Sequence, residues 1–395
     1  MTSQGLIFHI KLLCCLLISC SISMDTFAND KLAITYASFN AADYDNYKSD
    51  IETFRSIGFQ RISLVPTYYH ENIHEIILTA TPPAAMIGNC LDYLIANDID
   101  IIYKPHIDPV KYLYTYDVFE SDNSSWRVNV PWRGFFDMDP VIAGYYENIV
   151  KPVLASLAEI YKKIPNSAST VRIEIGTEMM NSIIRYGDKW IEVVQEARNF
   201  IDQQKLGNYI TVSHNFSHHI QIEQDYILRL RENEKRWLKD FLQQLDEISV
   251  SQYMDLTIFM EPAQSTIYAK AEAVAKAVLH YHKTFREDIL KGHLALNNWD
   301  TIKLNIGEFG IGVGGLKHPN YWEGSKTVDP VEQEIGILGF LKALDQFSIL
   351  ENEKDLDATI WTVGDKYDIF GLQYQGAKNE NAISHITGYL KDEFR

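Results

Sequence analysis

The chain has 395 residues, with 36 Lys and Arg against 53 Asp and Glu and a formal net charge of -17 at pH 7. That acidity disfavours nucleic acid and anionic lipid as partners and suits a neutral substrate. No Pro-, Gly- or Ser-rich linker and no low-complexity tract divides the chain, so its length fits one large barrel or two domains.

Met1 to Ala28 has the form of an export signal. His9 and Lys11 precede the apolar run Leu12 to Ser19, and Thr26-Phe-Ala28 offers small residues at the cleavage positions. The run is too short for a permanent membrane span. Leu17-Ile-Ser-Cys20 also resembles a lipobox, which would tether the protein through a lipid on Cys20. Without that anchor, a secreted or periplasmic protein is expected. Cys14, Cys15 and Cys20 all lie in the signal and only Cys90 lies beyond it, so the exported chain relies on its core and not on an internal disulfide.

Residues 29–395 alternate strand and helix. Eight short apolar segments read as strands: Leu32–Tyr36, Arg61–Val65, Asp100–Tyr103, Arg172–Ile175, Tyr209–Val212, Ile248–Ser251, Leu304–Ile306 and Ala358–Trp361. Helical periodicity runs between them, over Asp43–Ile57, Met86–Asn97, Ala143–Lys163, Lys189–Gln204, Tyr226–Leu245, Ile267–Phe285 and Val331–Phe347. Gly58 and Gly207 stand where a left-handed cap would end a helix. The pattern predicts an α/β protein, a single (β/α)8 TIM barrel preceded by a cleaved signal peptide. The longest interval between strand starts, Asp100 to Arg172, includes a stretch with little helical periodicity, Lys104 to Asp139. Its Lys104, His106, Asp108, Trp126, Arg127, Trp132 and Arg133 suit a sugar, whose C–H faces stack on rings while its hydroxyls bond to charged groups.

Two strands share one design. Arg172-Ile-Glu-Ile-Gly-Thr-Glu178 and Lys303-Leu-Asn-Ile-Gly-Glu308 each end in Gly and then a glutamate. Most glutamates are solvated surface charges, but the C-terminal strand ends of a parallel barrel hold its active site. Two carboxyls there can cleave a glycoside, one protonated to donate to the leaving oxygen and the other ionised to attack the anomeric carbon. Glu174 shares strand parity with Arg172 and Glu178, so continued alternation points it into the barrel. There a charge needs a partner, and Arg172 or a neighbouring strand is expected to supply one. Tyr253, just past the sixth strand, is placed to donate a hydrogen bond to the nucleophile, against the commoner reading of a packed ring. Trp361 ends the eighth strand as a core indole or as a stacking platform. His214, His218 and His219 raise a metal question, but no H-E-x-x-H helix accompanies them and a loop or sugar contact is the expectation. Gly310-Ile-Gly-Val-Gly-Gly315 lacks the following helix that a phosphate motif needs and reads as a flexible loop. Asn123 and Asn215 head N-glycosylation sequons.

Tyr103-Lys-Pro-His-Ile-Asp108, Trp132-Arg-Gly134, Ile175-Gly-Thr-Glu178, Tyr253, Ile306-Gly-Glu-Phe-Gly310 and, more loosely, Glu332-Gln333 together resemble glycoside hydrolase family 113, the endo-β-mannanase-like family of the retaining clan A barrels. The resemblance runs through residues 29–395 in order. It implies hydrolysis of a β-mannan-type chain with retention, with Glu178 as acid/base, Glu308 as nucleophile, Tyr253 as its hydrogen-bond partner and Trp361 as a sugar platform. Lys104, His106, Asp108, Trp132, Arg133, Thr177 and Asn215 complete the expected substrate-binding set. Much of the clan has Asn where Thr177 stands, and Met254-Asp255-Leu256 and Thr362-Val-Gly-Asp-Lys366 depart from the usual mannanase pattern. Both of the latter bear on specificity more than on chemistry. The expected protein is a monomer that acts on an oligo- or polysaccharide without cofactor or metal. Two alternatives are a non-catalytic carbohydrate-binding barrel and a metal-dependent hydrolase using His106, Asp108 and the His214 region.

Overall fold

The computed structural model describes residues 31–37, 46–72, 75–81, 84–109, 144–216, 230–319, 328–347, 349–350, 356–362, 369–370 and 378–393. The signal, Cys20, Trp132, Arg133, His218 and His219 lie outside the described residues.

The strands are β1 (Leu32–Ala37), β2 (Arg61–Val65), β3 (Thr67–Asn72), β4 (Glu75–Thr81), β5 (Asp100–Tyr103), β6 (His106–Pro109), β7 (Val171–Thr177), β8 (Ile210–Phe216), β9 (Glu247–Ser251), β10 (Lys303–Phe309) and β11 (Ala358–Ile360). Eight of them close a barrel in the order β1-β11-β10-β9-β8-β7-β5-β2, and every neighbouring pair is parallel. These are the eight segments read from the sequence. Helices follow the barrel strands in turn: α1 (Tyr47–Ile57), α2 (Ala84–Ala96), α3 (Lys151–Lys163), α4 (Met180–Arg185), α5 (Gly187–Gln203), α6 (Glu232–Leu242), α7 (Ile267–Thr284), α8 (Pro330–Phe347) and α9 (Glu380–Leu390). Among the described residues no helix is long and apolar enough to cross a membrane.

The apolar half of each strand alternation faces the helices. Tyr36 meets Phe54 of α1 edge-on, and Phe309 stacks on Phe340 of α8 with centroids 4.0 Å apart. Trp190 of α5 is fully buried, and its indole N–H donates to Ser182 Oγ of α4 at 2.9 Å, which meets the one polar need of that ring. Gly58 ends α1 at φ +125°, where a side chain would be strained and would press on Leu390 of α9. Gly207 does not play the corresponding part after α5. Lys205 takes the left-handed position at φ +58°, because the chain already turns there, with the Leu206 N–H donating to the Ile201 carbonyl.

A second sheet of three strands, in the order β4-β3-β6, was not legible in the sequence. Its β3 and β6 prolong β2 and β5 beyond Pro66 and Pro105. Leu64 pairs with Tyr103 and Thr67 with His106, the same offset on both sides of the prolines (103 − 64 = 106 − 67 = 39), so the register carries through. Proline lacks the N–H a ladder needs, which splits each long strand in two without ending its direction.

The polar half of the alternation fills the barrel. Strands buried on both faces are usually near-continuous apolar runs, yet here Arg172 on β7 donates to Asp357, just before β11, at 2.9 Å and to Glu247 on β9 at 3.2 Å. Such bonds between non-adjacent strands run through the interior. Arg61 also pairs with Asp357, Lys303 reaches Asp357 at 2.8 Å, and Asn305 donates to Glu247 at 2.7 Å. This network forms the barrel floor, beside a cavity of about 160 Å³ lined by Arg61, Arg172, Glu247, Lys303 and Asp357 among others.

Burial alone would raise the Asp357 carboxyl, but Arg61, Arg172 and Lys303 outweigh it and hold its pKa at about 2. An unfolded Asp titrates at about 3.9. Because the folded value is the lower one, the stability this group contributes is complete above about pH 4 and is lost as pH falls towards 2. Asp357→Asn leaves buried cations short of a partner and is expected to cost about 3–5 kcal/mol near neutral pH. Urea unfolding of the two proteins should show that gap closing between about pH 4 and pH 2.

Candidate active site

Glu308 owes its aim to a local irregularity. The β10 register shifts against β9 between Ile306 and Glu308, and against β11 between Ile306 and Phe309. An irregularity of this kind re-aims side chains at a strand tip. Gly307 is part of the same device. A Cβ there would lie 1.9 Å from Asn215 Oδ1 and 3.0 Å from Ser249 Cβ, so only glycine lets the Asn215 amide come so close. Three donors then converge on the Glu308 carboxylate. Lys104 Nζ reaches Oε1 at 3.1 Å, Asn215 Nδ2 reaches Oε1 at 3.4 Å, and the Tyr253 hydroxyl donates to Oε2 at 3.2 Å. His106 Nε2 stands 3.7 Å from Oε1.

Glu178 follows a matching irregularity, a shift of β7 against β8 between Glu174 and Thr177. Strand parity therefore does not carry from Glu174 to Glu178, as the alternation alone would have it. Instead Glu178 sits at φ +58°, an unusual conformation for a side-chain-bearing residue, fastened by its N–H donating to the Asn215 carbonyl at 2.8 Å. Asn215 thus touches both glutamates, the backbone of one and the carboxylate of the other. Its amide also donates to Ser251 Oγ at 2.8 Å. Both carboxylate-bearing residues stand at the same C-terminal rim.

The other residues singled out in the sequence differ in what they touch, and Lys104, Thr177, His106 and Trp361 are all buried. Lys104 has no exposed surface, and its ammonium lies beneath Glu308, bonded also to the Gly307 carbonyl at 2.6 Å and paired with Glu174 at 3.3 Å. Thr177 is buried, and its hydroxyl has no hydrogen-bond partner among the described residues. His106 stacks on Trp361 with centroids 5.4 Å apart and planes 13° apart, and Trp361 packs with Ala37, Val65 and Tyr253. Asp108 pairs with Tyr69 in the second sheet, and its side chain lies outside what the structure describes. Glu174 has the partners expected for it, Arg172 at 3.7 Å and, beside the neighbouring strand β5, Lys104; Ser251 and the close approach of Asn215 to Gly307 were missed in the sequence. The apolar-polar alternation of Ile248–Ser251 was the one signal that pointed Ser251 inward.

His214 is turned the other way, outward from the barrel. Its ring is fully buried among Trp190, Phe216 and Phe241 and close to Gly176, and neither ring nitrogen has a hydrogen-bond partner among the described residues. Burial holds its pKa at about 3, so it is neutral. His214 and His106 thus do not share a site, and the described residues form no group of three metal-ligating side chains. Asn215 is fully buried with its amide engaged, which closes that sequon to a glycan in the folded protein. The glycine run after β10 is anchored at Gly315, where φ is +62° and a Cβ would collide with Glu332 of α8. The Glu332 carboxylate accepts from the Leu316 N–H at 3.1 Å.

The His214 environment has a measurable consequence. An unfolded histidine is protonated below about 6.5 whereas this ring stays neutral down to about 3. Each pH unit in that window is expected to cost the wild type about 1.4 kcal/mol that a His214→Leu variant does not lose. Chemical denaturation at a series of pH values checks this. Gly307→Ala is expected to destabilise by about 1–3 kcal/mol through its collision with Asn215, read in the same titration at neutral pH.

No protein-family model matches the chain, and no curated protein matches it. Among solved structures it is similar to the family 113 β-mannanase of Alicyclobacillus acidocaldarius in complex with ManMIm, with a TM-score of 0.56 and 14% identity over 93% of this chain and 100% of that one. It is also similar to a family 113 β-1,4-mannanase, with a TM-score of 0.54 and 15% identity over 92% of this chain and 99% of that one. At such identities the likeness is one of fold: this chain is a single (β/α)8 barrel of the same architecture.

Proposed function

We propose that the protein is an exported glycoside hydrolase that cleaves β-linked, mannan-type chains with retention of configuration. The observation that carries the reading is the threefold grip on Glu308, by Lys104, Asn215 and Tyr253, at the same barrel rim as Glu178. A carboxylate held by an ammonium, an amide and a phenol is stabilised as an anion and fixed in place, as an attacking group must be. The fold shared with two family 113 mannanases supports the substrate class.

In the first step a Glu308 oxygen bonds to the anomeric carbon as the glycosidic C–O bond breaks, and the leaving oxygen takes the proton of Glu178. In the second step Glu178, now a carboxylate, removes a proton from water. The water oxygen bonds to the anomeric carbon and Glu308 departs as the free anion. His106 and Trp361, together with Trp132 and Arg133 of the family resemblance, are the proposed sugar contacts, whereas Lys104 and Asn215, bonded directly to Glu308, would act through it.

The test is incubation of the chain with β-mannans, β-glucans, xylans and aryl β-glycosides, with products identified by mass and by the anomeric proton of the first-formed sugar. Hydrolysis of β-mannan with retention is expected. Glu308→Ala should fall to background, and Glu178→Ala should lose about 10²–10⁴-fold, least on aryl glycosides, whose leaving groups need little protonation. A Glu308→Ala protein that cleaves like the wild type would sink the reading.

A further inference from the structure

Glu174 is a fully buried carboxylate for which the two-step chemistry has no task. Among the described residues neither of its oxygens accepts a well-aligned hydrogen bond, and cations hold it instead. Arg172 Nε stands 3.7 Å from Oε1 and Lys104 Nζ 3.3 Å from Oε2. Lys104 in turn lies 3.1 Å from Glu308, while Arg172 bonds to Asp357 and Glu247 on the floor. The signs alternate along this line: Asp357 and Glu247 negative, Arg172 positive, Glu174 negative, Lys104 positive, Glu308 negative. It runs inside the barrel from the floor to the reacting carboxylate with every side chain nearly or fully out of water. In such surroundings charges are weakly screened and each sets the energy of the next.

We propose that Glu174 is a positioning residue for the reaction argued above, acting through Lys104. By drawing on the same ammonium as Glu308 it divides that positive charge, so Glu308 is ionised yet remains basic enough to attack an anomeric carbon. The inference rests on the glycosidase reading for its purpose, but the coupling of Glu174 to Glu308 can be measured without it. Among the described residues, the other groups facing Glu308 are His106 from β6, Asn215 from β8 and Tyr253 after β9. Among the same residues, the charged groups facing Glu174 are Arg172 and Lys104.

The sign follows from the line of charges. Glu174→Gln removes a negative charge and leaves the whole of Lys104 to Glu308, which favours the Glu308 anion. Lys104→Met removes the positive charge and disfavours that anion. Two readouts are compared in the full chain: the acid limb of the kcat/KM profile, and a ¹³C-glutamate NMR titration with Glu308 assigned by Glu308→Gln. Both midpoints are expected to move down by about one pH unit in Glu174→Gln and up by about one in Lys104→Met, a tenfold change each way in Glu308 ionisation. Glu174→Asp, which keeps the charge, should stay near wild type. Since Glu174 has no exposed surface, kcat should fall and KM should hold in Glu174→Gln. A merely structural carboxylate would lower thermal stability and leave the midpoints unmoved. Unmoved midpoints, or shifts of the same sign in both variants, overturn the proposal. Each substitution tests the coupling by itself, so misfolding of one leaves the other decisive. If the wild type hydrolyses no glycoside, the glycosidase reading falls and the NMR titration still decides on the coupling.

Discussion

A guanidinium enclosed in a ring of eight strands is largely withdrawn from solvent, so Arg172 can stand where it does only if carboxylates meet it there. Asp357 and Glu247 do so, and each brings obligations of its own. Asp357 also takes Arg61 and Lys303, and Glu247 takes Asn305. The interior is therefore a polar lattice and not the layers of branched apolar side chains that usually fill a barrel. Cohesion of the apolar kind moves to the other face of the strands, where Tyr36, Phe309 and Trp190 pack in the helical layer. Division of labour between the two faces explains why the strands alternate in sequence although both faces are buried.

The lattice does more than hold the floor. Successive charges climb from Asp357 through Arg172, Glu174 and Lys104 to Glu308, so the carboxylate at the rim is wired to groups at the opposite end. Exposure would break such a line, because water would screen each pair from the next. Its burial is costly unless every charge is answered, which ties the stability of the barrel to the electrostatics of its mouth.

At the mouth the deciding factor is backbone geometry. Regular strands would send alternate residues inward and outward without exception. Register shifts in β7 and β10, the left-handed Glu178 and the missing Cβ at Gly307 break that rule where the two glutamates stand. Asn215 joins the two irregularities, since its carbonyl fastens one glutamate and its amide the other. Register shifts at the tips of two strands, with a left-handed glutamate beside one and a tight backbone approach beside the other, are expected of a functional site.

The eight barrel strands and most of their helices were legible in the sequence, because local apolar periodicity and the glycines that end strands and helices are properties of neighbouring residues. The two strand-tip glutamates were legible for the same reason. Other features depended on residues far apart in the chain. The apolar runs stop at Val65 and Tyr103, and only the pairing of β3 with β6 reveals that the strands go on past Pro66 and Pro105. Lys104 read as a cleft residue from its neighbours, and closure of the barrel put its ammonium under Glu308, two hundred positions away in sequence. His214 looked like a member of a histidine cluster, and its place on the outer face of β8 made it a neutral core ring. By itself the sequence determined that there would be a barrel and which strand tips would carry carboxylates. Which charges answer one another inside it was decided only by tertiary structure, because electrostatic partnership depends on distance in space and ring closure alone sets those distances.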